Sequence, residues 1–190
     1  MTYHDAYHFL LSLQNLKPPH REEEESESAA ARFTRLGHFL ALFEHPHLAI
    51  PRYVHITGTS GKGSTATMIA AMLSATGKKV GLLTSPHISY VTERWQINGK
   101  PMPKAVFTSL IERLKTAFDT FFTRYPEEWI TYHEMLTLIG FIYFAEQHVD
   151  AAVIEVGIGG DLDATNIIPH KDAAVITTVG ADHLELLGPT

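Results

Sequence analysis

Three glycines, a lysine and four hydroxyl side chains lie close together between positions 58 and 65. Glycine lets backbone N–H groups turn inward without a Cβ atom in the way. Lys62 can neutralise phosphate charge, and Ser64 or Thr65 can offer a hydroxyl group to Mg²⁺. The stretch therefore predicts a phosphate-binding loop. Its residues are Gly58, Thr59, Ser60, Gly61, Lys62, Gly63, Ser64 and Thr65.

The loop is predicted to join a strand to a helix. Residues 54–57 form a β-branched run typical of a buried strand, and an apolar helical pattern runs over residues 64–77. The helix start would add unpaired N–H donors and the positive end of its dipole. The usual phosphate-loop pattern G-x-x-x-x-G-K-[ST] is not met, because Ile56 occupies the position of its first glycine and Gly63 is inserted between Lys62 and Ser64. A glycine-rich turn that binds no ligand is the alternative.

Glu155 is the one charged residue of a second apolar run, over residues 151–156. A buried carboxylate is costly unless it is paired or bound to a metal ion. Ligands of α/β sheets bind at the carboxyl ends of the strands, which is where Glu155 would lie. We predict that Glu155 and Ser64 together hold Mg²⁺. The alternative is a glutamate that is only ion-paired or that faces an edge of the sheet.

The other predicted elements position these residues within an α/β fold. Besides the two strands above, apolar runs predict strands over residues 79–84 and 172–179. Helical periodicity predicts helices over residues 4–16, 29–44, 103–124 and 132–147. We predict a three-layer, mostly parallel sheet of the P-loop type.

The chain divides into two predicted regions. Residues 1–28 would form a helix and an acidic connection, because Pro18 and Pro19 stop the helix and residues 22–27 are almost all acidic. Residues 29–190 would form the ATP-binding α/β domain.

Two short segments carry local signals of their own. After Pro86, a polar segment leads to an Asn98-Gly99 turn, and residues 91–97 fit either a loop or a hairpin. Thr131 and Glu134 have the spacing of a helix capping box.

Composition excludes several classes of partner. The chain has 15 basic and 21 acidic residues and no basic stripe, so neither nucleic acid nor an anionic membrane is expected to bind. The absence of cysteine excludes disulfides and thiolate metal sites. No apolar run is long enough to span a membrane, and the N-terminus lacks a secretion signal. We expect a cytoplasmic protein.

Four motifs resemble those of the folylpolyglutamate synthase/dihydrofolate synthase family within the Mur ligase superfamily. The loop reads G-T-S-G-K-G-S, and the predicted strand over residues 79–84 leads into T-S-P-H at residues 84–87. Residues 155–166 read E-V-G-I-G-G-D-L-D-A-T-N. The fourth motif is G-A-D-H at residues 180–183 followed by L-G-P-T at residues 187–190. The resemblance implies an ATP-dependent ligase that adds L-glutamate to folate or dihydropteroate through an acyl phosphate, with ATP and Mg²⁺ as cofactors.

The resemblance also implies roles for individual residues. Catalytic roles fall to Lys62, Glu155 and His183, and metal ligation to Ser64, Ser85, Glu155 and His183. The folate or pterin pocket would be lined by Ser85, Pro86, His87, Thr131, Tyr132, His133, Glu134, Leu162, Asp163 and Ala164, with residues 35–37 nearby. Two positions depart from the family pattern: His133 replaces an aromatic residue, and Asp161 replaces a common arginine.

The resemblance covers roughly residues 30–190, which is less than half of the family's usual length. It implies that a C-terminal domain, which binds glutamate and closes over ATP, is missing, so we expect the fragment to be inactive alone. Another Mur-type amide ligase and a non-enzymatic nucleotide-binding module are the alternatives. The choice between dihydropteroate and folate stays open.

Overall fold

The computed structural model describes residues 1–15 and 28–188. The acidic block at residues 22–27, the Pro18-Pro19 pair and Thr190 lie outside the described residues. The α-helices, in chain order, are α1 (Tyr3–Ser12), α2 (Ala29–Ala41), α3 (Lys62–Ala75), α4 (Lys104–Arg124), α5 (Tyr132–Glu146) and α6 (Leu184–Leu187). The strands are β1 (Tyr53–Thr57), β2 (Val80–Leu83), β3 (Trp95–Ile97), β4 (Lys100–Pro101), β5 (Ala151–Glu155) and β6 (Ala173–Ile176). Short 3-10 helices cover Leu13–Asn15, Pro46–Leu48, Val91–Arg94 and Ala164–Ile167.

The described strands form one mixed sheet in the order β4-β3-β2-β5-β1-β6. Strands β2, β5, β1 and β6 are parallel, and β3 and β4 add an antiparallel hairpin at one edge. The prediction of a mostly parallel sheet is therefore confirmed. Within it, Ile56 on β1 lies opposite Glu155 on β5, so the ends of these two strands meet at the same edge.

Helices cover both faces of the sheet and make three layers. Alternate residues of a strand point to opposite faces, and along β5 Val153 packs under α3 whereas Ala152 and Ile154 face the larger core. That larger core holds residues of α1, α2, α4 and α5. Gly81 lets α5 approach β2, because a Cβ atom there would lie 2.8 Å from the ring of Phe144.

The two long helices follow their sequence patterns. Phe107, Leu110, Ile111, Leu114, Phe118 and Phe121 form the buried stripe of α4. In α5 every residue from Glu134 to Phe144 is buried, as expected for a helix that is apolar nearly all round.

Several predicted boundaries were wrong by a few residues. Helix α2 ends at Ala41, because Glu44 and His45 have positive φ angles (59° and 53°) and Pro46 follows. Helix α3 begins at Lys62 rather than at Ser64, directly after Gly61.

The strands also differ in extent from the predictions. Strand β2 begins at Val80 and ends at Leu83. Strand β6 ends at Ile176, since the next two residues turn to bind the loop described below. Of the two options for residues 91–97, the structure has a 3-10 turn and then the first strand of a hairpin, closed at Asn98 and Gly99 (φ 49° and 73°).

Candidate functional site

The loop after β1 is bound by the chain that follows β6. Oγ1 of Thr177 donates a hydrogen bond to the carbonyl of Ser60 (2.7 Å), and the N–H of Thr59 donates to the carbonyl of Thr178 (2.6 Å). Gly58 has a φ of 133°, and a Cβ atom there would collide with Oγ1 of Thr177. The conformation of the loop therefore requires glycine at this position.

The start of α3 is open to solvent and to ligands. Gly61 precedes the helix in the left-handed conformation (φ 84°), and among the described residues no side chain caps the helix. The first turn of α3 contains no acidic residue. Because the first N–H groups of an α-helix have no acceptor inside the helix, this end is suited to an anion.

Lys62 lies across the loop. Its Nζ atom donates to the carbonyl of Gly58 (2.8 Å) and lies 3.4 Å from the carbonyl of Thr59. The ammonium group is therefore held where the loop bends, next to the open helix start. Binding of phosphate by Lys62 stays a prediction.

Glu155 lies against this loop. It is 7% exposed, and a Cβ atom on Gly63 would be 3.3 Å from Oε2 and 3.4 Å from Oε1 of its carboxylate. The N–H of Ser85 donates to Oε2 (2.8 Å). Burial raises the pKa of Glu155, and the Ser85 N–H and the charges of Lys62 and Arg94 only partly oppose this. The carboxylate at the end of β5 thus lies beside the predicted phosphate-binding loop that follows β1.

The segment after β2 joins the same site. The backbone of Ser85 binds Glu155, and Ser85 and Pro86 are exposed, whereas His87 is half-buried. The carboxylate of Glu93 fixes this segment by accepting hydrogen bonds from the N–H groups of Ile88 (2.8 Å), Ser89 (3.2 Å) and Tyr90 (3.0 Å).

Arg94 is a candidate that sequence reasoning missed. Its Nε donates to Nδ1 of His87 (3.0 Å). Burial lowers the pKa of Arg94, and the carboxylate of Glu155 opposes that effect. The Glu93-Arg94 dipeptide was visible in the sequence, but its spacing alone did not connect the guanidinium to Glu155, 61 positions later in the chain.

The start of α5 is closed by its own side chains. Thr131 Oγ1 accepts from the N–H of Glu134 (3.3 Å), and Glu134 Oε2 accepts from the N–H of Thr131 (2.8 Å), which forms the predicted capping box. Both oxygens of Glu134 also bind the guanidinium of Arg35 at 2.8 Å. Burial would raise the pKa of Glu134, but the hydrogen bonds and charge of Arg35 outweigh it, so the pKa is lowered. Beside it, Tyr132 is buried and His133 is exposed.

Asp163 organises the turn that follows β5. Its carboxylate accepts from the N–H groups of Thr165 (2.9 Å) and Ile158 (3.1 Å) and from Oγ1 of Thr165 (2.6 Å). Leu162 is exposed, with its carbonyl bound to Arg32, and Ala164 is buried. Contact between Asp163 and a pterin ring stays a prediction.

His183 is exposed and precedes α6 in the left-handed conformation (φ 48°). Its Nε2 lies 3.9 Å from Oδ2 of Asp182. Within residues 1–15 and 28–188, no three His, Asp or Glu side chains converge as a metal site. The structure therefore brings together the loop, Glu155 and Ser85, whereas metal binding by His183 stays a prediction.

Comparison with known protein families assigns the chain that carries this site to a family. The family model described as the Mur ligase middle domain matches residues 56–190, which include the loop, Glu155 and His183. The chain belongs to the Mur ligase family. The Mur ligase superfamily, to which the four motifs pointed, is thereby confirmed.

Among Mur ligases, folylpolyglutamate synthases (FPGS) are similar to this chain. The chain is 44% identical over 139 residues to the folylpolyglutamate synthase of Lacticaseibacillus casei. This alignment covers 73% of the chain and 32% of that protein. It is 39% identical over 160 residues to the dihydrofolate synthase/folylpolyglutamate synthase of Bacillus subtilis (strain 168). This second alignment covers 82% of the chain and 36% of that protein. The chain therefore spans about a third of the length of these curated relatives.

Solved structures of this Mur ligase type superpose on the whole chain. The apo form of L. casei FPGS gives a TM-score of 0.88 at 36% identity, and the FPGS-AMPPCP-folate complex gives 0.88 at 35% identity. Each match covers 100% of this chain and 43% of the other.

In the described part of the chain, no helix is long and apolar enough to cross a membrane.

Proposed function

We propose that this chain is the ATP-binding part of a ligase that joins L-glutamate to the carboxylate of folate or dihydropteroate. The supporting observation is the contact between the buried carboxylate of Glu155 and Gly63, beside the uncapped start of α3. FPGS structures with AMPPCP and with folate support the choice of ligands. The remaining length of the relatives would supply a second domain that binds glutamate. A cytoplasmic location is part of the proposal.

The reaction has two steps. A carboxylate oxygen of the folate attacks the γ-phosphorus of ATP, the bond to the bridging oxygen breaks, and an acyl phosphate and ADP result. The amine of glutamate then attacks the acyl carbon, and inorganic phosphate leaves as the amine loses a proton. Such transfers depend on positioning and on neutralising charge. The loop N–H groups and Lys62 would bind the phosphates, and Arg94 would add positive charge near the acyl group.

The residues around Glu155 fit Mg²⁺. Mg²⁺ prefers oxygen ligands, and the Glu155 carboxylate lies beside Gly63, which precedes Ser64, and accepts a hydrogen bond from the N–H of Ser85. The hydroxyl groups of Ser64 and Ser85 would be the other protein ligands. His183 would contribute from the segment after β6. When bound, the ion would neutralise phosphate charge. The raised pKa of Glu155 fits a carboxylate whose ionised form gains its full stabilisation only when a cation is bound.

The substrate side would lie next to these groups. We place the pterin or folate against the T-S-P-H segment, the start of α5 and residues 162–164. At the start of α5, His133 is exposed and free to contact a ligand. Glu134 would act indirectly there, because its carboxylate already binds Arg35 and Thr131.

Nucleotide binding tests the proposal directly. Calorimetry of the 190-residue chain with AMPPCP and Mg²⁺ should show binding. Lys62→Ala should weaken it by about 10- to 100-fold, the value of a hydrogen bond to a charged group. Lys100→Ala, on the exposed strand β4, is the matched control and should bind as the wild type does. Absence of binding would contradict the proposal, and equal affinity in the two variants would show that Lys62 does not bind the phosphates.

Two further measurements define the substrate and test whether the 190-residue chain is active alone. Binding of dihydropteroate or folate, rather than a nucleotide-sugar, would separate this family from other Mur-type ligases. The chain alone should not release ADP in response to glutamate. Glutamate-dependent ADP release by the isolated chain would contradict its inactivity, but not its assignment as a ligase part.

A further inference from the structure

Helix α1 presents two histidines on one exposed face, far in sequence from the nucleotide loop. His4 and His8 are four residues apart, which places them one above the other on a helix. Their Nε2 atoms are 2.9 Å apart, and their ring centroids are 4.2 Å apart with the rings nearly perpendicular. The two Nε2 atoms are therefore hydrogen-bonded to each other, and an ion bound between them would replace the shared proton.

This separation suits a chelated metal ion. Two bonds of about 2.0–2.1 Å from Zn²⁺ to imidazole nitrogens span about 3.3 Å at the tetrahedral angle, so the two Nε2 atoms need to separate by only about 0.4 Å from the 2.9 Å seen here. Imidazole is a ligand of Zn²⁺, Cu²⁺ and Ni²⁺, whereas Mg²⁺ prefers oxygen. We propose that His4 and His8 form a second metal site, which binds a divalent transition-metal ion such as Zn²⁺ through the two Nε2 atoms.

The helix is held in place, so the two ligands are pre-organised. Thr2 and Asp5 form a capping box at the start of α1, with the Thr2 hydroxyl donating to Asp5 Oδ2 (2.7 Å). Aromatic contacts with α4 hold the far face: the ring centroids of Tyr3 and Phe107 are 5.6 Å apart, and those of Phe9 and Phe118 are 6.1 Å apart. Ordering the ligands therefore costs little on binding.

The site would be exchangeable. Within the described residues no third His, Asp or Glu completes a cluster, so water would fill the other coordination positions. A metal that binds the folded helix more tightly than the unfolded chain also raises the melting temperature. Zn²⁺ should therefore both bind to and stabilise the protein.

Calorimetry of the untagged 190-residue chain with Zn²⁺ tests the proposal. His4→Gln and His8→Gln should each weaken the tightest Zn²⁺ binding by about ten-fold or more, because a chelate that loses one ligand keeps a single protein bond. Glutamine is a good helix former, so the far-UV circular dichroism should not change. His148→Asn is the control: it removes another exposed histidine, at a positive φ (49°) that asparagine tolerates.

The outcomes separate clearly. Loss of affinity in both α1 variants but not in the control, with a Zn²⁺-dependent rise in melting temperature only when His4 and His8 are both present, supports the site. Unchanged Zn²⁺ affinity in either α1 variant, or an equal loss in His148→Asn, overturns it. AMPPCP binding in the presence of Mg²⁺ should be the same in all four proteins.

Discussion

Two glutamates of this chain are buried to nearly the same extent but in opposite electrostatic environments. Glu134 is 5% exposed and Glu155 is 7% exposed. Glu134 binds the guanidinium of Arg35 with both oxygens, and its pKa is lowered. Glu155 accepts an N–H bond from Ser85, and burial raises its pKa.

The difference separates a group that stabilises the fold from one that is available for a ligand. The Glu134 carboxylate closes the start of α5 and neutralises Arg35 within the chain. The Glu155 carboxylate lies beside a helix start that no described side chain closes. A titratable group that is buried without full compensation, next to a glycine loop, is typical of a functional site.

Removing the paired carboxylate should have the largest effect. Glu134→Ala removes the carboxylate that binds Arg35 with both oxygens, and Arg35 is 3% exposed; breaking such a buried pair costs about 3–5 kcal/mol. Urea unfolding measures the loss. Glu146→Ala is the control on the same helix, since its pair with Arg113 is largely exposed and should be worth at most about 1 kcal/mol. Equal losses in the two variants would contradict a stabilising role for Glu134.

Removing the other charge should affect ligand binding instead. Glu155→Gln keeps the shape of the side chain, so the free energy of unfolding at neutral pH should stay the same or rise. The gain in AMPPCP affinity that Mg²⁺ gives should fall by about ten-fold or more, equivalent to about 1.4 kcal/mol. Calorimetry with and without Mg²⁺ measures it, and Glu146→Gln serves as the control. An unchanged Mg²⁺ dependence would mean that Glu155 is not a metal ligand.

The two helix starts should respond differently to loss of a hydroxyl group. Thr131→Ala removes the cap of α5 and should cost about 1 kcal/mol of unfolding free energy. Ser64→Ala, in the uncapped first turn of α3, should change this free energy by less than about 0.5 kcal/mol. Thermal unfolding of both variants checks the contrast, and a larger loss in Ser64→Ala would reverse it.

The smallest expected effect is a difference in pH dependence. Glu134 has a lowered pKa, so its stabilisation is present above the ordinary value of 4.5 and is lost as the pH falls through the folded pKa. Glu155 has a raised pKa, so burying its carboxylate lowers the free energy of unfolding as the pH rises from 4.5, its ordinary value, to the folded pKa. Below pH 4.5 this loss is absent.

Urea unfolding at a series of pH values compares the two variants with the wild type. Glu134→Gln should lose less stability on acidification than the wild type does. Any gain in Glu155→Gln at neutral pH should disappear below about pH 4.5. Parallel pH profiles in all three proteins would show that the two carboxylates do not differ.

Local patterns determined the parts of the site that are contiguous in sequence. The capping box was predictable because Thr131 and Glu134 are three positions apart, which is the distance at which each side chain meets the other's backbone. The strand, glycine loop and helix over residues 53–75 were predictable for the same reason, to within two residues at the start of α3. Glu155 could be singled out because it is the one charged residue of an apolar run and lies near the carboxyl end of a predicted strand.

Only the tertiary structure decided which distant groups meet. Arg35 reaches Glu134 across 99 positions, and Ser85 reaches Glu155 across 70. Glu155 contacts the loop because β5 lies beside β1 in parallel register, and strand order is not encoded in the periodicity of any one strand. Hydrophobic spacing and capping act over a few residues, whereas pairing of buried charges and choice of neighbouring strands depend on the packing of the whole core.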